Sequence, residues 1–190
     1  MTEAETKPRI GPLEPPYEPD IDAMLKKWMP PGGAIEPLAL FRTLAVHDDL
    51  ASRMRVVGSG ILGHGRVEPR EREIMIHRTC ARCGAEYEWG VHAVVFAKPV
   101  GLTEEQIAAT AGGGPEDPAW SAGDALLIRL ADELHDSSSV SDPLWASLKE
   151  HYRDDQLLEL VIIAGWYHLI AYVINAAGVQ LEPWAARYPD

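Results

Sequence analysis

The most restrictive feature of this chain is a long apolar stretch near its C-terminal end. Residues 157–179 are almost entirely apolar and contain no proline. A helix of this length could cross a membrane. However, the stretch contains Glu159, His168 and Asn175 and has no basic flank, which disfavours a membrane span. We therefore expect a buried helix of the core or of a subunit interface, and no membrane partner.

Composition limits the class of protein and its partners. The chain has 190 residues, of which 46% are hydrophobic and 24% charged, values typical of one globular domain. Its formal net charge is −12. Because nucleic acids and anionic lipids carry charge of the same sign, we expect neither as a partner.

The first residues form a region of their own. Prolines recur between positions 8 and 19, which predicts an extended arm suited to lying on a neighbouring subunit. The mixed charges before them do not resemble a secretory signal, so we expect a cytoplasmic protein. The predicted organisation is an arm with a short helix over residues 1–34, followed by one domain over residues 35–190.

The remaining pattern is helical. Apolar residues recur at helical spacing between proline, glycine and capping residues, and no alternating strand of convincing length interrupts them. We expect an all-α fold with helices over about 21–28, 37–47, 49–62, 69–83, 85–97, a short one after Thr103, 119–135, 142–152 and 155–177.

Two of these helices carry the candidate chemistry. If residues 85–96 are helical, Glu88, Trp89 and His92 share one face, and Glu88 and His92 are four residues apart. Glu73 faces inward from the preceding helix, where a buried carboxylate requires a donor such as His92. Such a group suits proton transfer by His92.

Two structural explanations remain open for these residues. Glu88 and His92 would also be explained as a structural pair that satisfies its own hydrogen bonds in the core. Glu73 would also be explained by a salt bridge to Arg70 or Arg72.

The only two cysteines are Cys80 and Cys83. A CxxC pair can form a redox couple when a helix start acidifies the first thiol, but this pair falls near a helix end, where the dipole has the opposite effect. A zinc site is not predicted, because a second cysteine pair and histidines at finger spacing are absent from the sequence. We predict buried cysteines that behave as small apolar residues, with no metal and no cofactor.

Several segments resemble the carboxymuconolactone decarboxylase/AhpD-like family. They are Pro69-Arg-Glu-Arg-Glu-Ile, Tyr87-Glu-Trp-Gly-Val-His92, Gly101-Leu-Thr-Glu-Glu-Gln-Ile107, and the apolar helices that begin at Ala125 and Leu157. The resemblance covers most of the chain from about Leu38. It implies an AhpD-like helical bundle of about seven to nine helices, with residues 35–190 as the family domain.

The same resemblance identifies site residues. Counting back from His92, the redox cysteines of the peroxidase members fall on Ala85 and Glu88, so this chain resembles a branch that lacks the pair, and Cys80 and Cys83 are out of register. Glu73 matches the family glutamate. The resemblance implies His92, Glu73 and Glu88 as catalytic residues. The predicted substrate-binding residues are Tyr87, Trp89, Arg72 and His168.

The expected function is an acid–base lyase or isomerase without a cofactor, acting on a small carbonyl, lactone or carboxylate substrate. A ligand-binding or structural oligomer without catalysis is the alternative, and an AhpD-like thiol peroxidase using Cys80 and Cys83 is the third hypothesis. Because family members are built from protomers that share helices, we expect a homo-oligomer, with a trimer or hexamer favoured over a dimer.

Overall fold

The fold of the described residues is all-α, as the sequence predicts. The computed structural model describes residues 7–29 and 36–189, and within these ranges it contains helices and no β-strand. The elements, in chain order, are α1 Pro19–Trp28, α2 Ala39–Leu44, a 3-10 turn Ala45–His47, α3 Asp48–Gly63, α4 Pro69–Arg82, α5 Glu86–His92, a π-helical turn Ala93–Ala97, α6 Glu104–Gly112, α7 Ala122–Ser137, α8 Asp142–Lys149 and α9 Asp154–Ala177.

The local start signals explain where the helices begin. Proline occupies the first turn of α1, α4 and α8, where its missing N–H costs nothing. Thr103 and Gln106 form the predicted capping box of α6. Helix α7 begins at Ala122 rather than Ala119, because Ser121 and Asp124 form a second capping box there.

The predicted core helix is α9. By length and apolarity alone it could cross a membrane, since its mean hydropathy is 1.9 over the most apolar window. In the structure, residues along its length are buried against α4, α5 and α7. Such burial is what a core helix of a bundle requires.

Helix α4 lies at the centre of the bundle and contacts α5, α6, α7 and α9. Its end is defined by Gly84, whose φ of 63° is strained for residues with a Cβ. The N–H of Gly84 donates to the carbonyl of Ala81, and that of Ala85 donates to the carbonyl of Cys80. This pattern is a Schellman motif. It reverses the chain so that α5 packs back along α4.

The described part of the N-terminal arm packs against other helices of the same protomer. The N–H groups of Arg9 and Ile10 both donate to the carbonyl of Ala177 at the end of α9, at 2.7 and 3.1 Å. Leu13 packs with α1 in a small apolar cluster around Leu25. The predicted domain boundary after residue 34 falls outside the described residues.

Candidate active site

Glu73 is a carboxylate with no solvent exposure in the second turn of α4. Its Oε2 lies 2.7 Å from Nδ1 of His92, and its Oε1 accepts a hydrogen bond from Nε of Arg72 at 3.2 Å. Both partners that the sequence offered as alternatives, the histidine and an arginine, therefore bind the same carboxylate. Arg70 lies elsewhere, paired with Asp124 through two hydrogen bonds.

His92 is the last residue of α5 and joins three helices. While Nδ1 faces Glu73, Nε2 lies 3.5 Å from Oε1 of Glu88 and 3.3 Å from the hydroxyl of Tyr167 on α9. The ring of Phe96 stacks on the imidazole at a centroid distance of 4.7 Å. The π-helical turn that follows His92 places Phe96 there, and such turns are frequent at functional sites.

The charges around His92 favour its protonated form. Burial by itself lowers the pKa of His92, but the carboxylates of Glu73 and Glu88 outweigh it and raise the pKa to about 9. Burial raises the pKa of Glu73, yet His92, His77 and Arg72 together hold it below its ordinary value. At neutral pH the site therefore contains an imidazolium bound to a carboxylate.

A second buried histidine lies beside this pair. Nδ1 of His77 donates to the backbone carbonyl of Glu73 at 2.7 Å, and the imidazole rings of His77 and His92 are 6.1 Å apart. Burial and repulsion by His92 lower the pKa of His77 to about 4. His77 is thus neutral, and its Nε2 has no hydrogen-bond partner among the described residues.

A mainly apolar pocket opens beside Nε2 of His92. Its volume is about 470 Å³, within the range of small-molecule sites. Its lining includes the buried polar residues Glu88, His92 and Tyr167, and the end of α1 contributes Lys27 and Trp28. Apolar side chains complete the lining, including Leu38, Leu40, Phe41, Leu62, Val91, Val95, Phe96, Trp166, Ile170 and Trp184.

The predicted grouping of Glu73 with Glu88, Trp89 and His92 is only partly correct, because Glu73 and Trp89 do not line this pocket. Glu73 lies behind His92, while Glu88 and His92 form the wall. The indole N–H of Trp89 donates to Oγ1 of Thr110 at 2.9 Å, and the ring lines a different pocket. Trp89 lies about 100° around the helix from Glu88, at the edge of the face they share, and Thr110 on α6 offers its indole N–H a partner on that side.

None of the four predicted substrate-binding residues is among the described residues that line the pocket, and the three besides Trp89 have other partners. The hydroxyl of Tyr87 donates to Glu182 at 2.7 Å and accepts from the N–H of Leu40 at 3.1 Å. Nε of Arg72 donates to Glu73, and Nη1 of Arg72 donates to the carbonyl of Leu62. His168 contacts His135 instead.

The sequence did not single out Tyr167, Lys27 or Arg55, which line the pocket together with Phe96, a residue that helical spacing places on the face of Glu88 and His92. Tyr167 precedes His168 on α9, and a tyrosine that faces inward from an apolar helix was a usable signal for it. Lys27 and Arg55 lie on α1 and α3, far from His92 in sequence. No local pattern connects them to the site.

The two cysteines occupy different surroundings. Cys80 is fully buried, as predicted, whereas Cys83 is half-buried and its Sγ lies 3.7 Å from Nδ1 of His135. Burial, followed by nearby negative groups such as Glu88, raises the pKa of the Cys80 thiol well above its ordinary value. Burial also raises the pKa of Cys83. Neither thiol is activated.

Residues 48–128 match the carboxymuconolactone decarboxylase family. The matched segment contains Glu73, Glu88 and His92, and it ends within α7. A comparison with curated proteins found no match.

The fold is similar to solved structures at low sequence identity. A peroxidase-related protein from Silicibacter sp. TM1040 aligns with a TM-score of 0.75 and 12% identity, covering 95% of this chain and 96% of the other. A debrominase in its apo form aligns with a TM-score of 0.70 and 12% identity, covering 92% of each chain. An Agrobacterium tumefaciens protein of unknown function, described as AhpD-like, aligns with a TM-score of 0.66 and 14% identity, covering 73% of this chain and 94% of the other. At these identities the likeness concerns the fold.

Proposed function

We propose that this chain, whose residues 48–128 match the carboxymuconolactone decarboxylase family, is a cofactor-free acid–base enzyme that acts on a small carbonyl, lactone or carboxylate compound. One observation carries the proposal. His92 has Nδ1 held by Glu73 at 2.7 Å, while Nε2, at the wall of the pocket, lies near Glu88 and Tyr167. An oriented histidine beside a carboxylate is the group that proton transfer needs.

The charges assign a role to each group. His92, as an imidazolium, donates from Nε2 to the carbonyl oxygen of the substrate, where negative charge develops. Glu88 takes the proton from the neighbouring carbon, and the electron pair of that C–H bond moves toward the carbonyl as the oxygen receives the His92 proton. The product is an enol. Glu88 then returns its proton to a different carbon of the conjugated enol, and the enol O–H proton goes back to Nε2 of His92, which restores the carbonyl and completes an isomerisation.

The same groups support a lyase reaction. A carboxylate placed β to the carbonyl leaves as CO₂, and the electrons of the broken C–C bond move onto the carbonyl, whose oxygen takes the His92 proton. Glu73 keeps the imidazole oriented throughout, so it acts as a positioning residue. Lys27 and Arg55 at the pocket supply positive charge for a carboxylate that is not consumed.

Hydrogen–deuterium exchange tests the chemistry without knowledge of the natural substrate. A panel of small ketones, lactones and keto acids is first screened by thermal shift. Compounds that bind are incubated with the protein in D₂O, and loss of the α-proton signal is followed by NMR. We expect enzyme-dependent exchange, reduced roughly 100- to 10,000-fold by His92→Ala or Glu88→Gln.

Controls separate chemistry from folding. His151→Gln alters an exposed histidine outside the pocket and should leave exchange unchanged. Circular dichroism checks that each variant is folded. Exchange that is equally fast in wild type and His92→Ala would refute the acid–base role of His92.

Binding without catalysis is the second candidate function. The pocket wall is largely apolar, and an imidazolium with a pKa of about 9 suits the binding of an anionic or carbonyl ligand without proton transfer. Thermal stabilisation by several panel compounds, with no exchange for any of them, would favour this alternative.

A thiol peroxidase is disfavoured for this chain, although the names of two neighbours refer to peroxidase or AhpD-like proteins. Peroxide reduction requires a thiolate, and the pKa values of both Cys80 and Cys83 are raised. Glu88 occupies the position at which the family resemblance places one redox cysteine.

We also propose a cytoplasmic homo-oligomer, with a trimer or hexamer favoured. Both cysteines are free thiols, which fits a reducing compartment. Helix α9 exposes a row of apolar side chains, Leu158, Ile162, Leu169 and Tyr172. Exposed apolar patches of this kind support self-association.

A further inference from the structure

Three side chains outside the pocket meet at one point between α4, α7 and α9. Cys83 is the C-cap of α4, His135 lies in the last turn of α7, and His168 lies in the second half of α9. Nδ1 of His135 is 3.1 Å from Nε2 of His168 and 3.7 Å from Sγ of Cys83. All three atoms lie within 4.8 Å of one another.

The hydrogen bond on the other side of His168 fixes its tautomer. Nδ1 of His168 donates to the backbone carbonyl of Ala164, one turn earlier on α9, at 2.8 Å. A neutral imidazole that donates from Nδ1 has its lone pair on Nε2, and this lone pair points at the cluster. Histidine ligands of metals are typically held in this way, with one nitrogen on a carbonyl and the other on the ion.

We propose that Cys83, His135 and His168 bind a divalent transition-metal ion of the zinc class. In a tetrahedral zinc site, bonds of about 2.0 Å to nitrogen and 2.3 Å to sulfur place two nitrogens about 3.3 Å apart and sulfur about 3.6 Å from nitrogen. The observed distances of 3.1 and 3.7 Å are close to these values. A thiolate and two imidazoles are a donor set that zinc prefers.

The surroundings agree with such an ion. Arg82 is already paired with Asp132 and Asp136 on α7. All three ligand residues are half-buried, so an ion can enter, and water can occupy a fourth position.

This site is separate from the proposed catalytic pocket. None of the three residues is among the described side chains that line that pocket. The sequence predicted no metal because it offered no ligands at close spacing. Cys83 and His135 are 52 residues apart, and His135 and His168 are 33 residues apart, so the three meet only because the helices pack together.

Metal titration of the untagged protein, first treated with a chelator, tests the proposal. Zn²⁺ binding is measured by calorimetry, and Co²⁺ is used as a spectroscopic probe because a bound thiolate gives a sulfur-to-cobalt charge-transfer band. We expect one Zn²⁺ per chain and proton release from Cys83, since the thiol must ionise to bind. Zn²⁺ should also raise the melting temperature.

Variants identify the ligands. Cys83→Ser should remove the charge-transfer band. Loss of a residue that only hydrogen-bonds to a metal ligand weakens metal binding roughly 10- to 100-fold. Because His168 is proposed to bind the metal itself, His168→Gln should weaken Zn²⁺ binding by more than this. Cys80→Ala and His151→Gln are the matched controls, because they change a cysteine and a histidine outside the cluster. Both should bind Zn²⁺ as wild type does.

Two results would overturn the proposal. One is a wild-type protein that binds no Zn²⁺ at micromolar concentration. The other is binding that survives in Cys83→Ser and in His168→Gln, each shown to be folded by circular dichroism. In either case His135 and His168 form a simple hydrogen-bonded pair, with Nδ1 of His135 as the donor.

Discussion

Oε2 of Glu73 on α4 lies 2.7 Å from Nδ1 of His92 on α5, and neither side chain is appreciably exposed. The two residues are 19 positions apart in sequence. Low dielectric strengthens their attraction, and the pKa of His92 rises to about 9 in spite of its burial. The pair therefore links the stability of the fold to the protonation state of the candidate catalytic group.

Replacement of Glu73 should separate these two effects. In Glu73→Gln we expect the pKa of His92 to fall toward its ordinary value, because the nearest negative charge is removed while burial remains. NMR titration of the histidine signals measures this. Any turnover should fall roughly 100-fold, since the imidazole loses both its orientation and its charge. An unchanged His92 pKa in the folded variant would contradict the assignment.

Two buried histidines should make stability depend on pH in opposite directions. The pKa of His92 is about 9 in the fold and near 6.5 when unfolded, so its contribution is complete below pH 6.5 and is lost as pH rises through 9. The pKa of His77 is about 4, so stability falls as pH drops from 6.5 toward 4. We expect maximal stability near pH 6.5, measured by urea unfolding.

The histidine variants test this pH profile. In wild type, the free energy of unfolding should fall by on the order of 3 kcal/mol as the pH rises from 6.5 through 9. His92→Gln should remove most of this fall. His151→Gln changes an exposed histidine and should leave the profile as it is. A wild-type protein equally stable at pH 6.5 and pH 9.5 would show that Glu73 and His92 are not coupled as described.

The thiols should be dispensable for the proposed catalysis. Peroxide reduction with a dithiol donor should be negligible in wild type, because the pKa values of Cys80 and Cys83 are raised. Cys80→Ala with Cys83→Ala should remain folded and keep its pocket ligands, as measured by thermal shift. Peroxidase turnover that disappears in the double variant would instead support the thiol mechanism.

Two buried tyrosines form a matched pair of variants. Tyr87→Phe removes hydrogen bonds to Glu182 and to the Leu40 N–H, so it should cost about 1 to 3 kcal/mol of stability and leave activity unchanged. Tyr167→Phe removes the hydroxyl beside His92 and should lower turnover and shift its pH profile. Denaturant unfolding and the deuterium exchange assay measure the two effects. The reverse pattern would place Tyr87 in the site.

Self-association should depend on the exposed face of α9. We expect light scattering at micromolar concentration to give a homo-oligomer, a trimer or hexamer rather than a monomer. Leu158 and Ile162 are 62% and 46% exposed and one turn apart, so Leu158→Glu with Ile162→Glu should reduce the assembled mass if this face is an interface. A wild-type monomer would contradict the prediction.

The sequence by itself determined the fold class and the central pair of the site. Helical spacing of apolar residues, proline at helix starts and the Thr103 capping box are local signals, and the helices appear close to where they were predicted. The inward orientation of Glu73 and its pairing with His92 also followed from periodicity and chemistry. A buried carboxylate must find a donor, and the adjacent helix contained one.

Only the tertiary structure decided which other residues join that pair. Tyr167 and Arg55 reach the pocket from α9 and α3, while Trp89 and Tyr87 leave it because other helices and the C-terminal segment offer them hydrogen-bond partners. Cys83, His135 and His168 meet in the same way, across three helices. Contacts between distant segments depend on how helices pack, and helix packing depends on the whole set of side chains at each interface.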